Sequence, residues 1–365
     1  MRILIHRVLA SALLASTPLL SYSATVGSAL MQFDQNVRNY NLISFGDAAF
    51  HSYGDTEGGL AVQGNLFLDG GAIAAMPNKF MLNGDPTLYV GGALSVSNSA
   101  YLQSGYAALS ASANGAWAWN GPDNRLTVGG SMFSTVNTPH SLGDIDPRLN
   151  PGPAGWDFSA LKTSFVGISQ TLAGAAATGS IQITGQTLKF VGPGAGAHGA
   201  IVFDFDANLL VGNTYAGQMF SNVQFEVPFE DAYVINVRNA AGRTLFGGSG
   251  INFNSGAGYE RLLWNVVDST PGSLEEVRFG NGGQFFGSVL APTWSVFNDF
   301  GTAINGQVVA GAFGHRGAEL HYTGFNYHEE YDYEVPEPST YGLIGAGACL
   351  VLISWRRSRA VLRRA

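Results

Sequence analysis

The chain has almost no cysteine, little charge and no long apolar run. Its single cysteine, Cys349, lies in the last apolar stretch, so the rest of the chain has no internal disulfide and is held by packing and backbone hydrogen bonds. Charged residues make up 12% of the 365, well under the roughly 25% usual in soluble domains, which disfavours a bundle of charged helices. Neither apolar stretch, Val8 to Leu20 or Tyr341 to Trp355, reaches the about 20 residues of a comfortable membrane span. P-loop, HExxH, CxxC and GxSxG patterns are missing. Ser249 in "FGGSGI" comes near a nucleophile elbow, but its second glycine is misplaced.

What is present in their place is glycine, 49 residues of it, with serine, threonine and asparagine. That composition suits tight turns in an extended all-β architecture, and the length allows one large domain or two ordinary ones. The first residues read differently. Arg2, His6 and Arg7 precede the apolar stretch, and Ser21-Tyr22-Ser23-Ala24 follows it, the layout of a secretory signal peptide over 1–24 cleaved after Ser23 or Ala24. With the terminal segments set aside, 11 basic and 25 acidic residues remain, a net of −14. So acidic a body excludes nucleic acid and anionic lipid as natural partners.

The C-terminus carries its own pattern. Val335-Pro336-Glu337-Pro338-Ser339 is a stiff extended strip, because two prolines bar a helix. The short apolar run follows, then Arg356, Arg357 and Arg359, which the positive-inside rule places in the cytoplasm. A permanent anchor explains the run and the arginines but not the proline strip. The order of strip, run and arginines closely resembles the PEP-CTERM sorting signal of Gram-negative bacteria over 335–365. The resemblance implies an exosortase as processing partner, transient inner-membrane anchoring through a C-terminal transmembrane sorting helix, and delivery to the cell surface, outer envelope or extracellular matrix. The acidic stretch "NYHEEYDYE" (326–334) reads as a solvated spacer before it.

Between the ends, period-2 alternation recurs in "LYVGGALSV" (88–96), "IQITGQTLKF" (181–190), "AIVFDFD" (200–206), "AYVINVRN" (232–239) and "ERLLWNVV" (260–267), separated by glycine and asparagine turns. Val62-x-Gly64-x-Leu66, Val90-x-Gly92-x-Leu94 and Val128-x-Gly130-x-Met132 repeat one step, and the glycines of "FFGSV" (285–289) and "INGQV" (304–308) lie 19 residues apart. Repeated apolar-x-Gly-x-apolar steps predict an all-β, β-solenoid or β-helix-like body, with a β-sandwich as the alternative. One segment breaks the pattern. Phe158, Leu161, Phe165, Ile168 and Leu172 recur at helical steps, so one packed amphipathic helix is predicted over about 157–173, with Asp157 as N-cap and Gly174 as stop.

A second resemblance rests on "YNLISFGDAAFHSYGDTEGGLAVQGNL" (40–66) at the start and "LLWNVVD", "GSVLAPTWSV", "INGQVVAGAF" and "AELHYTGF" (262–325) at the close. These resemble the choice-of-anchor A domain over about 33–325, placing a domain at 25–325. The resemblance implies a β-helix-like, adhesive surface domain with no established catalytic residues. Trp294 and the charged "GHRGAEL" depart from what the pattern leads one to expect.

Candidates for chemistry are few. Asp204, Asp206 and Asn208 begin like an EF-hand loop, but Leu209 takes the glycine position and Tyr215 the last ligand position, so the two acids read as outward residues between inward Phe203 and Phe205. Asp55 with Glu57, and Asp144 with Asp146, leave calcium open at turns; otherwise no cofactor or metal is expected. His328-Glu329-Glu330 has no second histidine at ligand spacing, and "GPGAGAHG" (192–199) reads as a turn. Glu319 and His321 share a strand face, where a structural hydrogen bond is the expectation rather than acid–base catalysis. Trp117 and Trp119 point to one side of an extended segment, either into the core or toward a sugar ring as the leading ligand contact. The sequence thus points to a non-catalytic adhesin for exopolysaccharide or another cell surface. A polysaccharide lyase or hydrolase on a β-helix is the alternative, and ice binding is a third, although no regular threonine array is seen.

Overall fold

The computed structural model describes residues 17–37, 40–51, 54–76, 86–105, 107–109, 118–120, 125–128, 131–135, 140–141, 157–194, 199–226, 232–246, 252–254, 258–267, 274–280, 283–299, 301–317 and 319–327. They are mostly strand, with two long helices, α1 (Thr17–Val37) and α2 (Phe158–Ala173). The strands stack in parallel rungs. On one face the order is His140–Ser141, Ala107–Leu109, Leu88–Val90, Gly59–Val62, Tyr40–Ser44, Val308–Arg316, Ser288–Asn298, Leu262–Val266, Ala232–Arg238 and Ala200–Asp206. A second face runs from Leu94–Leu102 through Leu66–Ile73, Ala48–His51 and the later halves of the two long strands to Glu276–Phe279 and Arg243–Leu245. A third carries Gln284–Phe286, Ala303–Asn305 and Leu320–His321, joined to Thr56 by a parallel bridge.

Alternation along each strand sorts its side chains inward and outward. One inward row can be followed through nine rungs: Phe203, Ile235, Trp264, Val289, Val308, Leu42, Leu60, Leu88 and Ala107. All are buried in one continuous core. The repeated glycines stand at the corners between faces. A Cβ on Gly92 would lie 2.6 Å from the carbonyl carbon of Gly64, and one on Gly306 would lie 2.4 Å from the Gly287 oxygen. Successive coils therefore touch backbone to backbone there, which any larger residue forbids. The 19-residue step is the register itself: Phe285 pairs with Ile304, and Val289 with Val308.

The winding is discontinuous. Tyr40–Ser44, the first strand, lies mid-stack, with Gly59–Val62 on one side and Val308–Arg316 on the other. One arm winds from it toward residue 141. The other begins at Ala200–Asp206 and winds back until its last strands close on the first. Buried amides stitch this seam: Asn41 Nδ2 donates to Gly306 O at 3.1 Å and to His321 O at 3.2 Å, and its Oδ1 accepts from Gly58 N. Gln307 Nε2 donates to Tyr40 O at 3.0 Å, while its Oε1 accepts from Phe325 N at 2.7 Å.

Helix α2 forms as its sequence requires. Asp157 accepts from the amides of Ser159 and Ala160, and Gly174 closes the C-terminus onto the Gln170 carbonyl. Phe158, Phe165, Ile168 and Leu172 are buried, with Leu161 half-buried. Alternating residues of the first face, Ile43, Ala61, Val202, Val234, Leu263, Leu290 and Val309, are apolar on their outer side too and pack beneath the helices. Asn236 and Asn265, buried in that layer, donate to the carbonyls of Leu172 and Ser169 at 2.8 and 3.0 Å, and Arg238 reaches the Ala173 carbonyl at 2.9 Å. These donors satisfy the free carbonyls of the helix end.

Two readings of the sequence are corrected. The expectation of one packed helix falls short, because α1 packs beside α2 through Val26, Ala29, Leu30, Phe33 and Val37, and Phe33 meets Phe165 and Phe325 edge-on at 5.9 and 5.1 Å. The segment 181–190 is a hairpin, not one strand: Ser180–Thr184 and Thr187–Val191 pair antiparallel around Gly185, whose φ of 62° favours glycine in a two-residue turn. Trp294, the unusual residue of its motif, is buried in the core.

The seam yields a test. Asn41→Ala removes three buried hydrogen bonds between the arms and should lower folding stability by about 2–4 kcal/mol in denaturant titration. A loss under about 1 kcal/mol would show that the arms hold together without it.

Candidate functional surface

The face under α1 and α2 is closed by its apolar second layer, which leaves the second and third faces as the surfaces the strands present. Between the helices lies a groove of about 540 Å³ lined by Ser28, Gln32, Thr163, Ser164, Gly167 and Thr171, among others. It is small-polar in character and is bridged at one end by Asn36 Nδ2 donating to Ser164 Oγ at 2.9 Å.

On the second face, alternation turns Phe297, Arg278, Glu276, Phe67, Asp69 and Ser95 outward. Phe297 lies within reach of two guanidinium groups, Arg278 at 5.1 Å and Arg316 at 5.7 Å from the ring centroid. Arg278 pairs with Glu276 at 2.6 Å and with Asp299 at 3.3 Å, and Arg316 stands 3.9 Å from the same aspartate. The ions thus largely neutralise one another. Farther along, Phe67 packs on His51 with centroids 5.3 Å apart, and Asp69 accepts from Ser97 at 2.5 Å and from Asn98. Rigid rings and fixed polar groups on a flat parallel sheet suit hydrogen bonding and stacking with an extended ligand.

The third face carries a row in which Phe286, Asn305 and His321 are register neighbours. Tyr259 stacks on Phe286 at 4.0 Å. His321 Nδ1 meets Asn305 Oδ1 at 2.9 Å, and its Nε2 meets Glu319 Oε2 at 2.7 Å. Both imidazole nitrogens are occupied by neighbouring side chains, so the pair is the structural contact that the shared strand face predicts. Asp55 accepts from Ala72 N at 2.6 Å, and Glu57 from Tyr322 N at 2.7 Å. These two acids are thereby tied to the backbone of adjoining segments. Asp204 pairs with Arg238 at 2.8 Å, and Asp206 caps the turn at Asn208 N, while Phe203 and Phe205 are fully buried, as the alternation predicts. Among the described residues, no group of three or more histidine, cysteine or acidic side chains is arranged to hold a metal ion.

Of the sequence-predicted ligand contacts, Trp119 lies in the strand Ala118–Asn120, with only its backbone described, and Trp117 lies outside the described residues. The sorting residues Val335, Pro336, Glu337, Pro338 and Ser339, the arginines Arg356, Arg357 and Arg359, and Asp144 and Asp146 also lie outside them. Among the described residues, no helix is long and apolar enough to cross a membrane. The rows around Phe297 and Phe286 were not singled out from sequence. Alternation marks such residues as outward but does not tell which face the helices will cover.

With this geometry in hand, comparison with known proteins places the chain. A family model described as "Putative Ice-binding-like adhesive domain" matches residues 33–322, and the chain belongs to that family. The PEP-CTERM protein-sorting motif matches residues 334–359. Both are consistent with the choice-of-anchor A resemblance, which neither names. A search of curated proteins finds no match. Among solved structures, the chain is similar to a glycosylated ice-binding protein (LeIBP) from an Arctic yeast at 12% identity, with TM-score 0.35, covering 81% of this chain and 95% of that one. It is also similar to an ice binding protein from an Antarctic Biological Consortium at 14% identity and TM-score 0.33, with coverages of 78% and 87%. The ice-binding protein of the Antarctic ascomycete Antarctomyces psychrotrophicus stands at 11% identity and TM-score 0.34, with coverages of 79% and 96%.

Tyr322 offers a check on the third face. Burial, and secondarily the charge of Asp34 on α1, push its phenol up from 10.0 to about 12. Below pH 10 the phenol is neutral in folded and unfolded chains alike. Between about 10 and about 12 the unfolded chain ionises first, so folding stability falls as pH rises. Tyr322→Phe should flatten that alkaline slope in denaturation measured across pH 9–12. An unchanged slope would place the phenol in solvent.

Proposed function

We propose that this exported protein acts at the cell surface or in the extracellular matrix as a non-catalytic adhesin. Its body binds exopolysaccharide or another surface, and its tail is processed by an exosortase. The observation that carries this reading is the pairing of an adhesive-domain family over residues 33–322 with a PEP-CTERM motif over 334–359. Export through the N-terminal segment and transient anchoring by a transmembrane helix over about 341–355 complete the route. α1 fits with it: its described buried residues start at Val26, past the cleavage site expected after Ser23 or Ala24, so the packed stripe stays with the body.

The parallel coils favour a β-solenoid presenting stiff, flat faces. The mixed rows of Phe67, Phe297, Ser95 and Asn98 with internally paired ions suit a hydrated glycan better than ice, since ice binding asks for a regular array of one small polar residue. The enzyme alternative draws no support from the Glu319–His321 pair, whose groups are spent on each other and on Asn305.

Two measurements test the reading. Intact mass and fractionation of the mature protein should show loss of the segment after the Val335–Ser339 motif and recovery outside the inner membrane. Replacing Pro336 and Pro338 by alanine should leave the tail on and the protein in the inner membrane. Separately, the body should be pulled down with extracted matrix polysaccharide or intact cells. A native protein that keeps residues 339–365 in the inner membrane would end the sorting claim, and a body that binds neither partner would end the adhesin claim.

A further inference from the structure

The coil that begins the returning arm has one edge that is guarded and one that is not. On the helix-covered face its strand Ala200–Asp206 is blocked, because the amides of Thr178 and Gly179 both donate to Val202 O at 2.9 and 3.0 Å. On the third-face side, the sheet ends in Ser180–Thr184, which pairs through all five residues with Thr187–Val191 and has no strand beyond it. Ser180, Gln182 and Thr184 are exposed, while Ile181 and Ile183 are half-buried against the core. An edge strand is normally protected by a charge, a proline or a bulge, and this one has none of them. The nearest charge, Lys189 opposite Gln182, is already paired with Glu226 at 2.5 Å.

The same end exposes apolar side chains. After Asp206 the chain forms a small antiparallel meander, Leu210–Val211, Thr214–Tyr215 and Gln218–Met219. Leu209 is 43% exposed, Val211 67% and Met219 70%. These are three of the six large apolar side chains recorded as exposed among the described residues.

We propose that this end is a homophilic contact, in which Ser180–Thr184 of one copy pairs antiparallel with Ser180–Thr184 of a second. The strand is self-complementary about Gln182: Ser180 faces Thr184, Ile181 faces Ile183, and Gln182 faces its counterpart on the two-fold axis. Such a pairing closes as a dimer and leaves no further edge to propagate. It places no charge against charge, in a body that otherwise carries −14. Five residue pairs make a small interface of the weak, transient class. At the roughly millimolar effective concentration of tethered molecules, such a contact is nevertheless populated. The contact would let molecules on neighbouring cells or in one matrix grip each other, independently of any glycan.

Cysteine cross-linking tests the register in the full chain, purified in mild detergent with Cys349→Ser as background. Antiparallel partners have Cα atoms about 4.5–5.5 Å apart, within disulfide range. Gln182→Cys should give a disulfide-linked dimer on mild oxidation. Ser180→Cys should cross-link only weakly to itself but strongly to Thr184→Cys when the two are mixed. The exposed Ser159→Cys on α2 serves as control and should stay monomeric. In sedimentation, the Cys349→Ser protein should dimerise at concentrations up to about 1 mM, and Gln182→Lys, which sets like charges opposite each other, should weaken the dimer at least tenfold. Cross-linking no better than the control would overturn the proposal. So would a dimer indifferent to Gln182→Lys, or no dimer at all over that range.

Discussion

Everything in this fold depends on how its first strand is held. Tyr40–Ser44 is hydrogen-bonded on one side by a strand a few residues downstream and on the other by one more than 260 residues away. Until the C-terminal arm returns, the inward row through Leu42 stops at an open edge. Asn41 and Gln307 make the joint specific, because each amide satisfies backbone groups that would otherwise be buried without partners. Contacts of such long sequence separation are slow to form and highly cooperative once formed.

The same joint explains why the two helices lie where they do. The first face carries apolar residues on both sides of its strands, so its outer layer needs covering as much as its inner one does. α1 leads directly into the first strand, and α2 precedes the terminal strand of the returning arm. The pair therefore arrives with the two ends of the winding and closes that face. Phe325 and Tyr327 are buried in the same cluster, so the end of the described chain is fastened beside α1. What remains on the other two faces is chemistry at modest density: braced aromatic rings, ion pairs that neutralise each other, and short polar side chains.

Much of this was legible from local pattern. Period-2 alternation located the strands, and glycine recurrence located the corners. A five-residue apolar stripe with Asp157 and Gly174 at its ends located α2 to within a residue or two. The burial of Phe203 and Phe205 with Asp204 and Asp206 facing out followed from the same alternation. Three things were not legible, each for a physical reason. The packed part of α1 follows directly on an apolar leader, and a leader reading absorbs it. The hairpin at 180–191 has the same alternation on both sides of Gly185-Gln186, so its turn hides inside a continuous period. The meeting of first and last strands leaves no local mark, because register between distant segments is decided by which rows fit. For the functional surface, the sorting residues stood out by composition alone, whereas the outward rows on the open faces emerged only once the helices had claimed the third.

The stacked corner glycines also bear on how such a chain can change length. Rung to rung, the path takes 18 residues from Leu42 to Leu60, 28 from Leu60 to Leu88, and 19 from Val289 to Val308. Only the strand segments and the close-packed corners must keep step; the excess leaves the stack as loops at the corners. A coil can therefore be lengthened, decorated or exchanged without disturbing its neighbours, provided the glycine at the corner is kept. The architecture works like a rack with fixed mounting points, in which surface variety is added between the pins and the shared core stays unchanged.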